Sequence, residues 1–114
     1  MNQGIKTVIY PVKDIGKAKA MFSKILGVAP YVDSPYYVGF RIGDQEFGLD
    51  PNTHKHGMTA YYTVDDIKAS LQVLVDAGAQ VQEEIRDVGM GKLIASAKDA
   101  DGNIIGLTQE PRAH

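Results

Sequence analysis

The sequence has no cysteine and no tryptophan. The first absence excludes disulfide bonds, thiolate metal sites and a cysteine nucleophile. There is no strong excess of one charge either, since 12 Lys and Arg stand against 14 Asp and Glu, a formal net charge of −2. A nucleic-acid or anionic-membrane partner needs a basic face, which this balance does not provide. No apolar run approaches the length of a membrane span, and the opening MNQGIKTVIYPVKD lacks the long apolar core of a signal peptide. The expectation is a cytoplasmic protein with neither a nucleic-acid nor a membrane partner. Histidine is scarce at three. His54 and His56 form a His-x-His pair in a polar connector with no obvious third ligand, and His114 is terminal, so a solvated linker is the simpler reading of the pair.

The chain has 114 residues, a mass of 12.4 kDa and 44% hydrophobic residues. That is enough for one folded domain spanning residues 1–114, or for two half-domains that share a core. Self-similarity favours the second description. Residues 5–14 read IKTVIYPVKD and residues 57–66 read GMTAYYTVDD. Thr7, Val12 and Asp14 match Thr59, Val64 and Asp66, all at an offset of 52. Each segment is rich in β-branched and aromatic residues and runs into an acidic residue suited to cap a helix.

The spacing predicts a first helix over 15–26, with Ile15, Ala18, Phe22, Ile25 and Leu26 on one face and Gly27 as its stop. It predicts a second helix over 67–77, with Ile67, Leu71, Leu74 and Val75 on one face and Gly78 as its stop. After the first helix, Val38, Phe40 and Ile42 alternate with Tyr37, Gly39 and Arg41, the period of a strand with two different faces. Gly43-Asp44 reads as a turn into the strand 46–50. In the second half, residues 92–97 lead through the turn cluster Asp99-Ala-Asp-Gly-Asn103 into residues 104–109. Phe47-Gly48-Leu49 parallels Ile105-Gly106-Leu107 at an offset of 58. The units are therefore 4–50 and 57–110, each ordered strand, helix, then two or three strands.

Four stretches carry a family likeness: Val12-Lys-Asp14, Phe22-Ser-Lys-Ile-Leu-Gly27, Val64-Asp-Asp66 and Asp99-Ala-Asp-Gly-Asn103. Together they resemble the vicinal oxygen chelate superfamily of glyoxalase I, extradiol dioxygenases, fosfomycin-resistance enzymes and bleomycin-binding proteins. In the last stretch Ala100 replaces the family's proline. The resemblance implies an α+β fold of two tandem βαβββ units, forming a curved mixed sheet with a concave cavity. Metal-dependent members of the family place His or Glu at positions that fall here on Thr7, Gly48, Thr59 and Gly106. A neutral hydroxyl is a poor ligand for a divalent transition metal, and glycine offers no side chain. A slip of one residue brings no better ligand to any of the four. Neither a metal nor any other cofactor is therefore expected, and what remains of the family's chemistry is the cavity.

Strand alternation assigns its lining. Thr7 and Ile9 face in from the first strand, and Thr59 and Tyr61 from its repeat. Tyr37 and Arg41 come from the third strand, and Ile94 and Ser96 from its counterpart. Gly48 and Gly106 leave room near the centre for an organic guest. Arg41 either grips a carboxylate or phosphate by its bidentate fork or is a solvated strand-end residue. Glu46 is a general base if burial raises its pKa, but its place beside a turn predicts exposure. Tyr37 and Tyr61 either stack on a ligand or fill a dimer core, and Thr7 and Thr59 are also ordinary strand residues. Gly89-Met-Gly-Lys92 lacks the first glycine and the Ser or Thr of a phosphate loop and reads as a flexible lip. Residues 29–36 read as the opposite lip.

The leading functional expectation is a metal-independent small-molecule binding protein holding an organic ligand in a concave cup. The competing one is a glyoxalase- or dioxygenase-like enzyme with a non-standard metal site or metal-free acid–base chemistry. A third is an interaction module whose cup has closed by packing. Partners are expected to be the small molecule and a second copy of the chain, as a homodimer, because a two-unit sheet leaves edges and a face exposed.

Overall fold

Two aspartates at equivalent places start the two helices. In the computed structural model, which describes residues 2–52 and 57–111, Asp14 and Asp66 are extended, and each carboxylate accepts a backbone N–H three residues on. The distances are 3.0 Å from Lys17 and 3.1 Å from Ala69. This satisfies one of the donors that every helix start leaves open. Helix α1 spans Ile15–Leu26 and ends at Gly27, which is left-handed at φ 72°. Helix α2 spans Ile67–Asp76, one residue shorter than its spacing predicts. Its C-cap is Ala77, and the left-handed turn falls on Gly78.

The strands are β1 (Asn2–Pro11), β2 (Val32–Asp33), β3 (Val38–Ile42), β4 (Gln45–Asp50), β5 (Thr59–Val64), β6 (Gln80–Asp87), β7 (Leu93–Lys98) and β8 (Ile104–Gln109). They are hydrogen-bonded in the order β2-β3-β4-β1-β5-β8-β7-β6. Within each half the pattern is the same. β1 pairs in parallel with β4, and β5 in parallel with β8. The antiparallel pairs β3/β4 and β7/β8 follow. Strand β2 lies inside the segment expected to be a lip, and β6, antiparallel to β7 with two register shifts, was not foreseen as a particular strand. Among the described residues, 6–59 form one compact unit and 60–111 with 2–5 form another, so β1 contributes to both.

Each unit has its own core, on the face of the sheet that carries its helix. In the first unit Val38, Phe40 and Leu49 are buried against Tyr10, Val12, Ile15, Ala18, Phe22 and Leu26. The rings of Tyr10 and Phe22 meet with centroids 4.9 Å apart. In the second unit Val64, Ile67, Leu71, Ala95, Ala97 and Leu107 form the buried set. Three residues expected in these cores lie at their rims. Ile25 is 76% exposed, about 100° round the helix from Leu26, and Val75 and Ile42 are also exposed, Ile42 where β3 runs into its turn. The turn before β8 is built by Asp99. Its Oδ1 accepts the backbone N–H groups of Asp101 and Asn103, and its Oδ2 accepts the Asn103 side chain. The Asn103 bonds hold the Asp99 carboxyl below its usual pKa, and Ala100 leaves this arrangement intact. Among the described residues no helix is long and apolar enough to cross a membrane.

Phe40→Ala is expected to destabilise the chain by about 3–5 kcal/mol in chemical denaturation, because it empties a fully buried site. Asp66→Ala should cost about 1 kcal/mol through the lost cap, and Ile25→Ala should stay within about 0.5 kcal/mol.

Candidate functional site

Each strand with one face on a helix has a second face that its helix does not cover. In the first unit, alternation puts Thr7 and Ile9 of β1, Gly39 and Arg41 of β3, and Glu46 and Gly48 of β4 on that second face, opposite the buried Val38, Phe40 and Leu49. The register sets Thr7 beside Glu46 and Ile9 beside Gly48.

Two glycines on this face admit two aromatic rings. A methyl group built on Gly39 would lie 3.0 Å from the Tyr31 ring and 3.1 Å from the Tyr37 ring. On Gly48 it would collide with the Tyr37 hydroxyl and lie 2.7 Å from Cζ of that ring and 2.6 Å from Cδ1 of Ile9. Tyr37 therefore occupies the space that the missing side chain of Gly48 leaves. Its hydroxyl donates to Oε2 of Glu46 at 2.9 Å. The Arg41 guanidinium lies over the Tyr31 ring, 4.1 Å from its centre, in cation–π geometry, with Nη2 4.0 Å from Oε1 of Glu46.

Contrary to the exposure expected beside a turn, the Glu46 side chain is only 15% exposed, whereas Arg41 keeps 57% of its side chain in solvent. Position along the strand predicts exposure for Glu46; the tyrosine that hydrogen-bonds it and its half-buried setting beside Thr7 override that. Burial and then the Glu46 carboxylate raise both phenols. Tyr31 rises to about 12, Arg41 partly opposing, and Tyr37 goes well above the ordinary tyrosine range. Both phenols are thus held protonated at neutral pH and act as hydrogen-bond donors.

In the second unit the helix-free face carries Tyr61 and Thr63 of β5, Ile94, Ser96 and the exposed Lys98 of β7, and Ile104, Gly106 and Thr108 of β8. The register pairs Gly106 with both Tyr61 and Ser96, and Thr108 with both Thr63 and Ile94. A methyl group on Gly106 would lie 2.5–2.8 Å from Cδ1, Cε1 and Cγ of Tyr61. Here too a tyrosine fills the glycine's place. Thr63, Ser96 and Thr108 are buried. Ser96 Oγ and Thr108 Oγ1 have no hydrogen-bond partner among the described residues.

The expected site residues thus fall into two groups. Thr7, Ile9, Tyr37 and Arg41 share the first unit's face, and Tyr61, Ile94 and Ser96 share the second's. Thr59 opens β5 and is half-buried. The expectation that Gly48 and Gly106 leave room for a guest is corrected, since the chain's own Tyr37 and Tyr61 take that room. Sequence reasoning did not find Tyr31 and expected Glu46 to be exposed; tyrosines at 31, 36 and 37 shortly before two strands, each with a glycine on its non-core side, were the available signal. Two cavities, of about 270 and 350 Å³, open elsewhere, beside α1 and α2, and no expected site residue lines them.

The residues present do not fit the metal site of the resembled family. Thr7, Gly48, Thr59 and Gly106 offer neither carboxylate nor imidazole, and a phenol or its ring stands where the two glycines' side chains would be. Among the described residues no three or more His, Asp or Glu side chains cluster to hold a metal ion. His54, His56 and His114 lie outside the described residues.

The model of the Glyoxalase/Bleomycin resistance protein/Dioxygenase superfamily matches residues 4–107. The chain belongs to that superfamily. Solved structures share its fold at low identity. A superfamily member from Vibrio splendidus 12B01 superposes with a TM-score of 0.73 at 14% identity, covering 96% of this chain and 98% of that one. A variant of methylmalonyl-CoA epimerase from Streptomyces coelicolor, in complex with 2-nitronate-propionyl-CoA, gives 0.76 at 15% identity over 98% and 100%. The Mn(II)-bound glyoxalase from Novosphingobium aromaticivorans gives 0.75 at 16% identity over all of this chain but 43% of that one. At these identities the likeness is one of fold. No curated protein matches the sequence.

Gly48→Ala is expected to destabilise the chain by about 1–3 kcal/mol, because Tyr37 must leave its place and its bond to Glu46. The same substitution in a Tyr37→Ala background should cost markedly less, as a double-mutant cycle in denaturant will read. In an alkaline absorbance titration, Tyr31 should ionise near 12 and Tyr37 well above the ordinary tyrosine range. Glu46→Gln should bring both part of the way down, burial keeping the remainder. These raised phenols stabilise the fold below the ordinary tyrosine pKa near 10, and that contribution is lost as pH climbs from about 10 through 12.

Proposed function

We propose that this superfamily member is a small-molecule binding protein that needs no metal ion at the family's ligand positions, and that it holds an organic ligand on the helix-free faces of its half-sheets. One observation carries the reading: none of the four positions bears a metal-binding side chain, and tyrosines occupy the places of both glycines. The rest of the lining supports an organic guest. It combines aliphatic Ile9, Ile94 and Ile104, phenols held protonated, and an Arg41 guanidinium that is stacked in place yet mostly solvated. Such a mixture suits a ligand with an apolar body and a few oxygens.

Two other readings have support. The half-buried Glu46 bonded to Tyr37 favours a metal-free acid–base enzyme of glyoxalase or dioxygenase type. The raised pKa of Tyr37 opposes it, because a phenol held this firmly protonated is a weak proton shuttle near neutrality. The filled glycine places favour a module closed by packing; the unpartnered hydroxyls of Ser96 and Thr108 oppose that. A homodimer in the cytoplasm belongs to the same proposal, supported by the exposed Met21 and Ile25 on α1. Sedimentation should then give twice the 12.4 kDa chain mass.

Thermal-shift screening against hydrophobic antibiotics, aromatic acids and thiol conjugates tests the main proposal. At least one class should raise the melting temperature, by the same amount with EDTA as with Ni, Mn, Zn or Fe. A shift seen only with a divalent ion contradicts it. No shift with any class supports the closed module instead.

A further inference from the structure

Two buried hydroxyls in the second unit have no use in the fold itself. Ser96 is 1% exposed and Thr108 is 3% exposed, and neither hydroxyl oxygen has a hydrogen-bond partner among the described residues. A buried polar group without a partner is destabilising, and apolar residues of the same shape would avoid the penalty. Their immediate neighbours in the core avoid it, since Ala95, Ala97 and Leu107 alternate with them on the opposite face.

Both hydroxyls lie on the helix-free face. Ser96 is opposite Gly106, and Thr108 is the next residue of β8 on that face. They are therefore diagonal neighbours across an antiparallel pair, with Cβ atoms roughly 5–8 Å apart. One oxygen atom between them can accept from both at ordinary hydrogen-bond lengths. The backbone between them is Gly106, which has no side chain, and the ring resting on it is Tyr61.

We infer that Ser96 and Thr108 form a two-donor subsite for the carbonyl oxygen of a neutral organic ligand, reached when the Tyr61 ring swings off Gly106. This rests on the small-molecule reading above and names the chemistry that one part of the site selects. The charge pattern decides for a neutral acceptor over a carboxylate. Of the residues of this face on β5, β7 and β8, the one cation is Lys98, exposed at the end of β7 opposite Ile104, on the far side of Gly106 from Thr108. The charges that the register brings alongside from β6, Glu83 and Arg86, are exposed and bond each other at 3.4 Å. An ionised carboxylate would be buried beside two hydroxyls while the one cation of the face stays in solvent at the strand end, which is costly. A ketone, aldehyde, quinone or amide oxygen carries no such penalty, and half-buried Ile94 and Ile104 flank the hydroxyls to receive the apolar part of the molecule.

The test compares acetophenone with ethylbenzene, which has a similar size and no oxygen, by NMR titration of the full chain. Acetophenone should shift the amide signals of Ser96, Gly106 and Thr108 together with the Tyr61 signals, and bind more tightly than ethylbenzene. Ser96→Ala and Thr108→Val should each weaken acetophenone about five- to tenfold and leave ethylbenzene unchanged. The ligand-free variants should melt at or above the temperature of the parent protein, because each removes an unpaired buried group. Four results would overturn the inference. Acetophenone could bind the variants as well as it binds the parent. It could shift only signals around Tyr37 and Arg41, in which case the small-molecule reading stands without this subsite. The ligand-free variants could melt several degrees lower, which would mean that the hydroxyls are already satisfied in the free protein. Failure of both probes to bind would overturn the subsite and leave the small-molecule reading to the thermal-shift panel.

Discussion

In each half of the chain a tyrosine rests on a residue without a side chain. At Gly48 and Gly106 the backbone on the helix-free face is bare, and Tyr37 and Tyr61 lie where a Cβ would be. Protein interiors are packed too tightly to hold a ring and a ligating side chain in one place. The same contact therefore fixes the local packing and removes the donors that a metal site needs. In the first half it also sets the electrostatics, because Tyr37 reaches Glu46, and burial with that carboxylate keeps the phenol protonated.

The two halves repeat a fold, and their sites have diverged. Val12 and Val64, Ile15 and Ile67, and Leu49 and Leu107 occupy equivalent core positions. The helix-free faces differ. The first has a carboxylate, a guanidinium stacked on Tyr31 and two phenols with raised pKa values. The second has small buried hydroxyls and aliphatic side chains. Core positions are held to one solution by volume and periodicity. A face with no helix on it has no such constraint and can take different chemistry in each copy.

Much of this was legible in the sequence. The helix of residues 15–26, both aspartate caps and the hairpin turn at Gly43-Asp44 follow from local rules of periodicity and capping, and these held. Alternation also placed Val38 and Phe40 in the core and Gly48 and Gly106 away from it. The occupants of the glycine places were not legible, because they depend on register between strands. Tyr61 is the direct partner of Gly106 across the parallel β5/β8 pair. Tyr37 precedes β3, two residues before Gly39, and so reaches Gly48 on the diagonal from the pair Gly39 and Gly48. Glu46 looked exposed from its place beside a turn, and the bond from Tyr37 and the pairing with Thr7 hold it half-buried. Ile25 fits the apolar period of α1 but lies at the edge of its apolar face and is mostly exposed.

Metal content is the decisive measurement. The protein is to be purified without chelator, dialysed against metal-free buffer, and measured by elemental analysis for Mn, Fe, Co, Ni, Cu and Zn. With hydroxyls and bare backbone at the four family positions and tyrosines over the glycines, the sum of these metals should be far below one per chain. One tightly held transition-metal ion per chain, lost on Thr7→Ala or Thr59→Ala, would contradict the account.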